Sequence, residues 1–179
     1  MADKYFSVKD MAFVGLEPLD PEQLSITEYF PNYRSLGIEN DLQQLLQRNH
    51  QLIDELTQPK LQEILHNFED VCQLLSKTLI AQQLSLDSLQ AQKVMISENE
   101  ITLLWPKAFN KEQSLALMLI FSPNYQSFFI EARVIACQER TNGFLLKLSI
   151  AHPRESSRRR LAAHIVEQQR FALAKKRQG

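Results

Sequence analysis

The chain has 179 residues, enough to bury the core of one domain carrying an appendage, and we expect a single domain over 1–179. Its composition is 44% hydrophobic and 23% charged, which excludes a disordered chain. The longest apolar run, 115–121, is far shorter than the ~20 residues that span a bilayer, so no membrane insertion is expected.

The formal net charge of −1 conceals a basic terminus, because 154–177 holds eight Lys or Arg and two acids. Basic ends of surface helices are usually solvated and interact favourably with the helix dipole. The segment lacks the interleaved aromatic residues of nucleic-acid-binding surfaces, so nucleic acid is not expected as a partner.

The first ten residues, MADKYFSVKD, place charges where a signal peptide needs an apolar stretch. We therefore expect a cytoplasmic protein. Cys72 and Cys137 have apolar sequence neighbours and no closely spaced partner, which predicts buried free thiols rather than a disulfide.

The chain opens with a stretch of β-favouring residues, and a first strand is predicted within 1–17. Pro18, Pro21 and Gly37 interrupt any longer periodicity, so 18–40 is predicted to be a loop with a helical turn at most.

Residues 41–84 are predicted to form inserted helices, because this segment contains no glycine and its apolar residues recur at helical spacing. Asn49 falls on the same face. Pro59 either kinks one helix or begins a second helix in its first turn. The apolar stripe consists of Leu42, Leu45, Leu52, Leu56, Leu61, Ile64, Leu65, Phe68, Val71, Leu75 and Leu79.

Residues 86–150 contain short apolar segments separated by turn residues, which predicts several antiparallel strands in a sheet or small barrel. Asn142-Gly143 is the strongest hairpin signal in the chain. A final helix is predicted over 153–175, with Glu155 in its first turn.

The sequence lacks the motifs that several kinds of catalytic and ligand-binding site require. Four glycines cannot supply a phosphate-binding loop or a dinucleotide fingerprint. The four histidines, His50, His66, His152 and His164, show no metal-ligand spacing, and no serine lies in a nucleophile elbow. We therefore predict neither a catalytic residue, a metal site nor a cofactor.

The stretch 94–171 resembles the PilZ family. Its carboxyl end, GFLLKLSIAHPRESSRRRLAAHIVEQQRF, is similar to the apolar strand, polar turn and helix with a Gln-Arg sequence that close a PilZ barrel. VMISENEITLLWPKAFNKEQSLALMLIF and QSFFIEARVIAC are similar to the preceding strands. The resemblance implies an α+β, mainly antiparallel fold: a six-stranded β-barrel with a long inserted helical segment and a C-terminal helix.

The residues through which typical PilZ members bind cyclic di-GMP are absent. Their first element, Arg-x-x-x-Arg, precedes the first barrel strand, whereas this chain has no Arg before Arg34. Their second element is [Asp/Asn]-x-Ser-x-x-Gly, and aligning it on Ser97 places Met95 and Glu100 at its ends. Glu100 would add negative charge beside a dianionic ligand and would obstruct a close backbone approach.

A displaced ligand site remains the alternative. Arginines at the start of the last helix could bind phosphate, because a helix N-terminus favours anions. The residues of this alternative cyclic di-GMP site are Arg154, Arg158, Arg159, Arg160 and Ser97.

The resemblance implies a non-catalytic bacterial signalling or adaptor protein. Some PilZ-like proteins oligomerise through helices inserted after the first strand, the position of 41–84 here. A helix over 60–84 would be roughly 35 Å long at ~1.5 Å per residue, longer than a small barrel is wide. We expect a homo-oligomer that contacts another bacterial signalling or motility protein. Alternatively, the helices fold back across Pro59 and shield the stripe internally.

Overall fold

The computed structural model describes residues 7–20, 25–33, 36, 45–46, 48–86, 89–122, 125–151 and 155–177. Its strands form a closed barrel in the order β1-β2-β3-β6-β5-β4, with every neighbouring pair antiparallel. The strands are β1 (Val8–Pro18), β2 (Gln92–Ile96), β3 (Glu100–Trp105), β4 (Ser114–Phe121), β5 (Gln126–Arg140) and β6 (Gly143–Ile150). The predicted α+β class with a six-stranded barrel is confirmed.

The barrel is filled by alternate residues of each strand, as the period of two requires. In β1, Ala12, Val14 and Leu16 are buried, and they pack with the inward residues of the other five strands. β4 is buried on both faces, because Leu117 faces the interior set while Met118 joins a second apolar cluster. Burial on both faces explains why this strand is a nearly uninterrupted apolar run.

The β5–β6 hairpin turns where the Asn142-Gly143 pair predicts it. Gly143 has φ +129°, and a Cβ there would lie 2.6 Å from the Trp105 carbonyl oxygen. This position needs glycine both for its backbone conformation and for its close approach to the neighbouring strand.

The long helix α1 (Pro59–Leu86) begins at Pro59, which resolves the choice between a kink and a new helix. Pro59 suits the first turn, where its missing N–H has no intrahelical acceptor. Before it, residues 45–46 and 48–54 are helical, and we name them the upstream segment. The Gln62 side-chain amide donates hydrogen bonds to the carbonyls of Ile53 and Asp54, which closes the end of that segment against α1.

The carboxyl end of α1 packs on the outside of the barrel. Ile80 and Leu84 are buried in the second cluster with residues of β4 and with Phe30 and Tyr33, which belong to the short 3₁₀ region after β1. Two 3₁₀ helices, Ile26–Tyr29 and Pro31–Tyr33, occupy part of the predicted loop. This cluster anchors one end of α1 and leaves its other end to project.

The last helix, α2 (Glu155–Arg177), docks on the barrel core. Leu161 and Ile165 are buried in the interior cluster. Between them, His164 Nε2 lies 2.8 Å from Asp10 Oδ2 of β1, and the His164 ring stacks on Phe121 at 4.1 Å. A buried polar pair therefore fixes α2 to the first strand.

The prediction of buried thiols is wrong for Cys72. Cys72 is exposed and Cys137 is partly buried, and neither forms a disulfide. Cys72 lies on the part of α1 that projects beyond the barrel, so apolar sequence neighbours did not imply a covered position. Among the described helices, none combines the length and the apolar character that a membrane span requires.

Candidate functional site

The projecting part of α1 displays a row of exposed apolar side chains. Phe68 is 64% exposed and Leu79 is 66% exposed, although such residues are usually buried. Leu65 is half-buried, and Leu74, which the sequence analysis did not assign to the stripe, is also exposed. The exposed predicted residues of α1 are Leu61, Ile64, Phe68, Val71, Leu75 and Leu79.

The upstream segment runs back along the start of α1. We call these two elements together the helical hairpin. Leu46 and Ile53 are buried within it, whereas Leu45, Leu52 and Leu56 are exposed. The predicted interface residue Leu42 lies outside the described residues. Helical spacing indicated the outward leucines of this segment and did not single out its two buried residues, because both sets recur at that spacing.

An open groove of about 380 Å³ lies between the two elements of the hairpin. Asn49 lies in this groove, as its place on the apolar face predicts. The lining residues are Leu46, Asn49, Leu52, Ile53, Leu56, Leu65, Phe68, Glu69 and Cys72. The chain thus folds back across Pro59, as the alternative proposed, but this folding leaves the stripe exposed.

A polar cluster lies inside the same hairpin. Glu69 is buried, and its Oε2 lies 3.0 Å from His50 Nδ1 and 3.3 Å from His66 Nδ1. The hydrogen bond to Glu69 raises the pKa of His50 above its ordinary value, and the charges of Asp54 and Asp70 act in the same direction while desolvation opposes them. We call His50, His66 and Glu69 the His–Glu cluster.

Ser97 lies in the turn between β2 and β3 and bonds within that turn. Its hydroxyl donates to the Glu100 carbonyl at 3.2 Å and accepts from the Glu100 amide at 3.1 Å. Ser97 is 4% exposed. The Glu100 carboxylate pairs with Lys147 at 2.9 Å, and Met95 is exposed on the outside of the barrel. These contacts give Ser97 a structural role in the β2–β3 turn.

The described arginines of the alternative ligand site do not converge on one point, because they contact different parts of the chain. Arg158 and Arg159 are exposed, and Arg159 pairs with Glu155 one turn earlier at 3.0 Å. Arg160 donates to the Ser127 carbonyl and lies over the Phe128 ring, 5.1 Å from its centroid. Arg154 lies outside the described residues.

One solved structure resembles nearly the whole chain. It is a pathogenic protein from Xanthomonas campestris, described as a tetrameric PilZ domain self-assembled via an unusual helical bundle. The match covers 97% of this chain and 93% of that chain, with 21% identity and a TM-score of 0.65. This chain therefore has a PilZ-like fold.

Two further solved structures match the chain over smaller parts. YcgR from Escherichia coli, in complex with c-di-GMP, is 15% identical over 51% of this chain and 41% of that chain, with a TM-score of 0.43. The inhibitor of motility MotI/DgrA from Bacillus subtilis is 16% identical over 46% and 43%, with a TM-score of 0.38. No protein-family model and no curated protein matches the chain.

Proposed function

We propose that this chain is a non-catalytic adaptor of the PilZ type that assembles with copies of itself through the helical hairpin and contacts another bacterial signalling or motility protein. The observation that supports this proposal most is the exposed stripe on α1. In the single chain its side chains remain in water over the length of helix that projects beyond the barrel.

The size of these side chains favours assembly. Burying one exposed Leu or Phe side chain stabilises an assembly by about 1.5–3 kcal/mol, so a helical bundle that covers several of them is favoured. Asn49 lies in the apolar groove, where a polar residue selects the register of neighbouring helices. A bundle of hairpins from several copies would cover both the stripe and the groove.

The Xanthomonas protein supports the same proposal at the level of fold. That protein is described as self-assembling through a helical bundle, and its match to this chain covers the helices as well as the barrel. We extend its mode of assembly to this chain as part of the proposal.

The barrel has exposed apolar residues of its own, and we assign them to the contact with a different protein. Met11, Met95 and Leu104 are each 38–40% exposed on β1, β2 and β3, which are neighbours in the barrel. In the proposed assembly the hairpin joins the copies, and this outer face of the barrel contacts the partner.

The alternative, a cyclic di-GMP receptor with displaced basic residues, gains no support from the described contacts. Ser97 bonds within its own turn, Arg159 pairs with Glu155, and Arg160 bonds to β5. We therefore retain the adaptor as the proposed function and do not propose the receptor.

The assembly is tested by multi-angle light scattering on the full chain and on Leu75→Glu/Leu79→Glu. Both leucines are exposed in the single chain, at 59% and 66%, so this variant keeps its fold. We expect the native chain to be an oligomer and the variant to be a monomer, because each introduced carboxylate would have to lose its water inside the bundle.

A matched control is Phe171→Glu/Leu173→Glu, which places two charges at similarly exposed apolar positions, 62% and 59%, on α2. This variant is expected to keep the native mass. A monomeric native chain, or dissociation caused by the α2 control and not by the α1 variant, would refute assembly through the hairpin.

A further inference from the structure

The His–Glu cluster brings together donors from two elements that the chain break at Pro59 separates. His50 belongs to the upstream segment, whereas His66 and Glu69 belong to α1. One ligand atom from each of the three lies within 4.8 Å of the other two. Asp54 closes the opposite side, since its carboxylate lies 3.3 Å from His66 Nε2 and 3.8 Å from His50 Nε2.

The spacing of the cluster fits a tetrahedral metal ion. Zinc binds His nitrogen at about 2.0–2.1 Å and carboxylate oxygen at about 2.0–2.2 Å, so neighbouring donors of a tetrahedral site lie roughly 3.3 Å apart. Glu69 Oε2 lies 3.0 and 3.3 Å from the two Nδ1 atoms. The three side chains can therefore surround one ion after a small expansion.

The charge of the cluster also suits a divalent cation. Two carboxylates, Asp54 and Glu69, lie 3.0–3.8 Å from the ring nitrogens of the two imidazoles. A divalent ion bound by neutral imidazoles would balance the charges of both carboxylates.

Glu69 provides an independent indication. The residue is 8% exposed, and among the described residues its Oε1 is buried without a hydrogen-bond donor. A buried carboxylate oxygen without a partner is costly in any protein. A metal ion bound by Oε2 would offset the negative charge of the carboxylate and so lower the cost of burying it.

We propose that His50 and His66, through their Nδ1 atoms, and Glu69 bind a zinc ion whose fourth position is taken by water. Asp54 lies on the Nε2 side of both rings and would orient them as an outer-shell carboxylate. Imidazole and carboxylate donors suit zinc, and these three ligands include no thiolate that would favour a softer ion. The upstream segment supplies His50, and α1 supplies His66 and Glu69, so the ion links the two elements.

This link has a structural consequence for the groove. Glu69 both belongs to the cluster and lines the groove between the two elements. An ion held there fixes the distance between the upstream segment and α1, and it thereby sets the width of the groove.

The test is isothermal titration of the metal-free, untagged full chain with zinc chloride, followed by the visible spectrum after cobalt(II) is added. We expect one zinc ion per chain and the intense absorption of tetrahedral cobalt(II). His66→Gln and His50→Gln should each weaken zinc binding by about 10- to 100-fold or more, since loss of an outer-shell partner alone has an effect of that size.

Two controls separate the cluster from general surface binding. His152→Gln removes a histidine elsewhere in the chain, and Glu63→Gln removes an exposed carboxylate of α1; both should bind zinc like the native chain. Circular dichroism checks that each variant is folded. Should His66→Gln unfold, His50→Gln is the decisive variant, because its side chain is 58% exposed.

The proposal is overturned if the native chain fails to bind zinc at micromolar concentration, or if folded His50→Gln and His66→Gln bind it as tightly as the native chain. The outcome of the zinc titration can be distinguished from the outcome of the assembly experiment. A zinc-binding monomer would refute self-association only, and an oligomer that binds no zinc would refute the metal site only.

Discussion

The barrel and the helical hairpin differ in the burial of their apolar residues. Phe121 in the barrel is fully buried between Phe128 and the His164 ring, whereas Phe68 in the hairpin is 64% exposed. Both residues belong to apolar sequence patterns: a continuous run in β4 and a helical stripe in α1. The barrel therefore completes its core within one chain, and the hairpin has a face that a single chain leaves uncovered.

This difference follows from closure. A closed barrel pairs every strand edge and surrounds its interior, so each inward side chain meets others from its own chain. Two helices in contact cover only the side that they share, and the opposite side of α1 remains in water. The helix α2 avoids this problem along its first turns by docking Leu161 and Ile165 on the barrel.

The largest expected effect comes from comparing one residue type in the two regions. Phe121→Ala should lower the free energy of unfolding by about 3–5 kcal/mol, because it removes a buried aromatic ring. Phe68→Ala should change the free energy of unfolding by no more than about 0.5 kcal/mol at low protein concentration, since the Phe68 ring is exposed in the single chain. Urea denaturation at low protein concentration measures both values.

Repeating the urea denaturation at higher protein concentration tests whether copies of the chain cover Phe68. If copies cover Phe68, the loss caused by Phe68→Ala grows as the chain assembles, while that of Phe121→Ala depends less on concentration. Equal losses for the two variants in dilute chain would show that the contrast between the barrel and the hairpin is wrong.

A smaller effect is expected where α2 docks. Asp10→Ala should lower the free energy of unfolding by about 1–3 kcal/mol, because it leaves the buried His164 Nε2 without its carboxylate. Glu17→Ala, at an exposed position of the same strand, is the control and should have little effect. Thermal unfolding compares them, and similar melting temperatures would mean that the pair does not hold α2 to β1.

The smallest effect is expected at the β2–β3 turn. Ser97→Ala should lower the free energy of unfolding by about 0.5–1.5 kcal/mol through the loss of its hydrogen bonds to Glu100. Glu98→Ala, in the same turn and exposed, serves as the comparison in urea denaturation. A Ser97→Ala chain of native stability that loses binding of cyclic di-GMP would contradict the structural role and favour the receptor.

Local pattern determined much of this molecule. The period of two in the segments after 86 and the Asn142-Gly143 pair predicted the strands and their sharpest turn, because each signal depends on residues that are close along the chain. The stripe on α1 followed from helical spacing in the same way. Leu74 was missed, although it lies three residues after Val71 and therefore also fits helical spacing.

Only the tertiary structure decided which apolar residues are covered. Helical spacing is the same for Ile80, which packs on the barrel, and for Leu79, which is exposed. Cys72 is exposed for the same reason: its surroundings depend on how far α1 projects beyond the barrel, and this distance is not encoded in its neighbours.

The His–Glu cluster shows the same limit for a site. Glu69 lies 19 residues after His50, a spacing that matches no metal-binding motif, and the two residues meet because the chain reverses before Pro59. Sequence patterns predicted inserted helices and antiparallel strands in a sheet or small barrel, and the resemblance to PilZ implied a six-stranded barrel without the standard ligand residues. The fold brought together the hairpin's histidines and carboxylate, because contacts between distant segments depend on packing rather than on spacing.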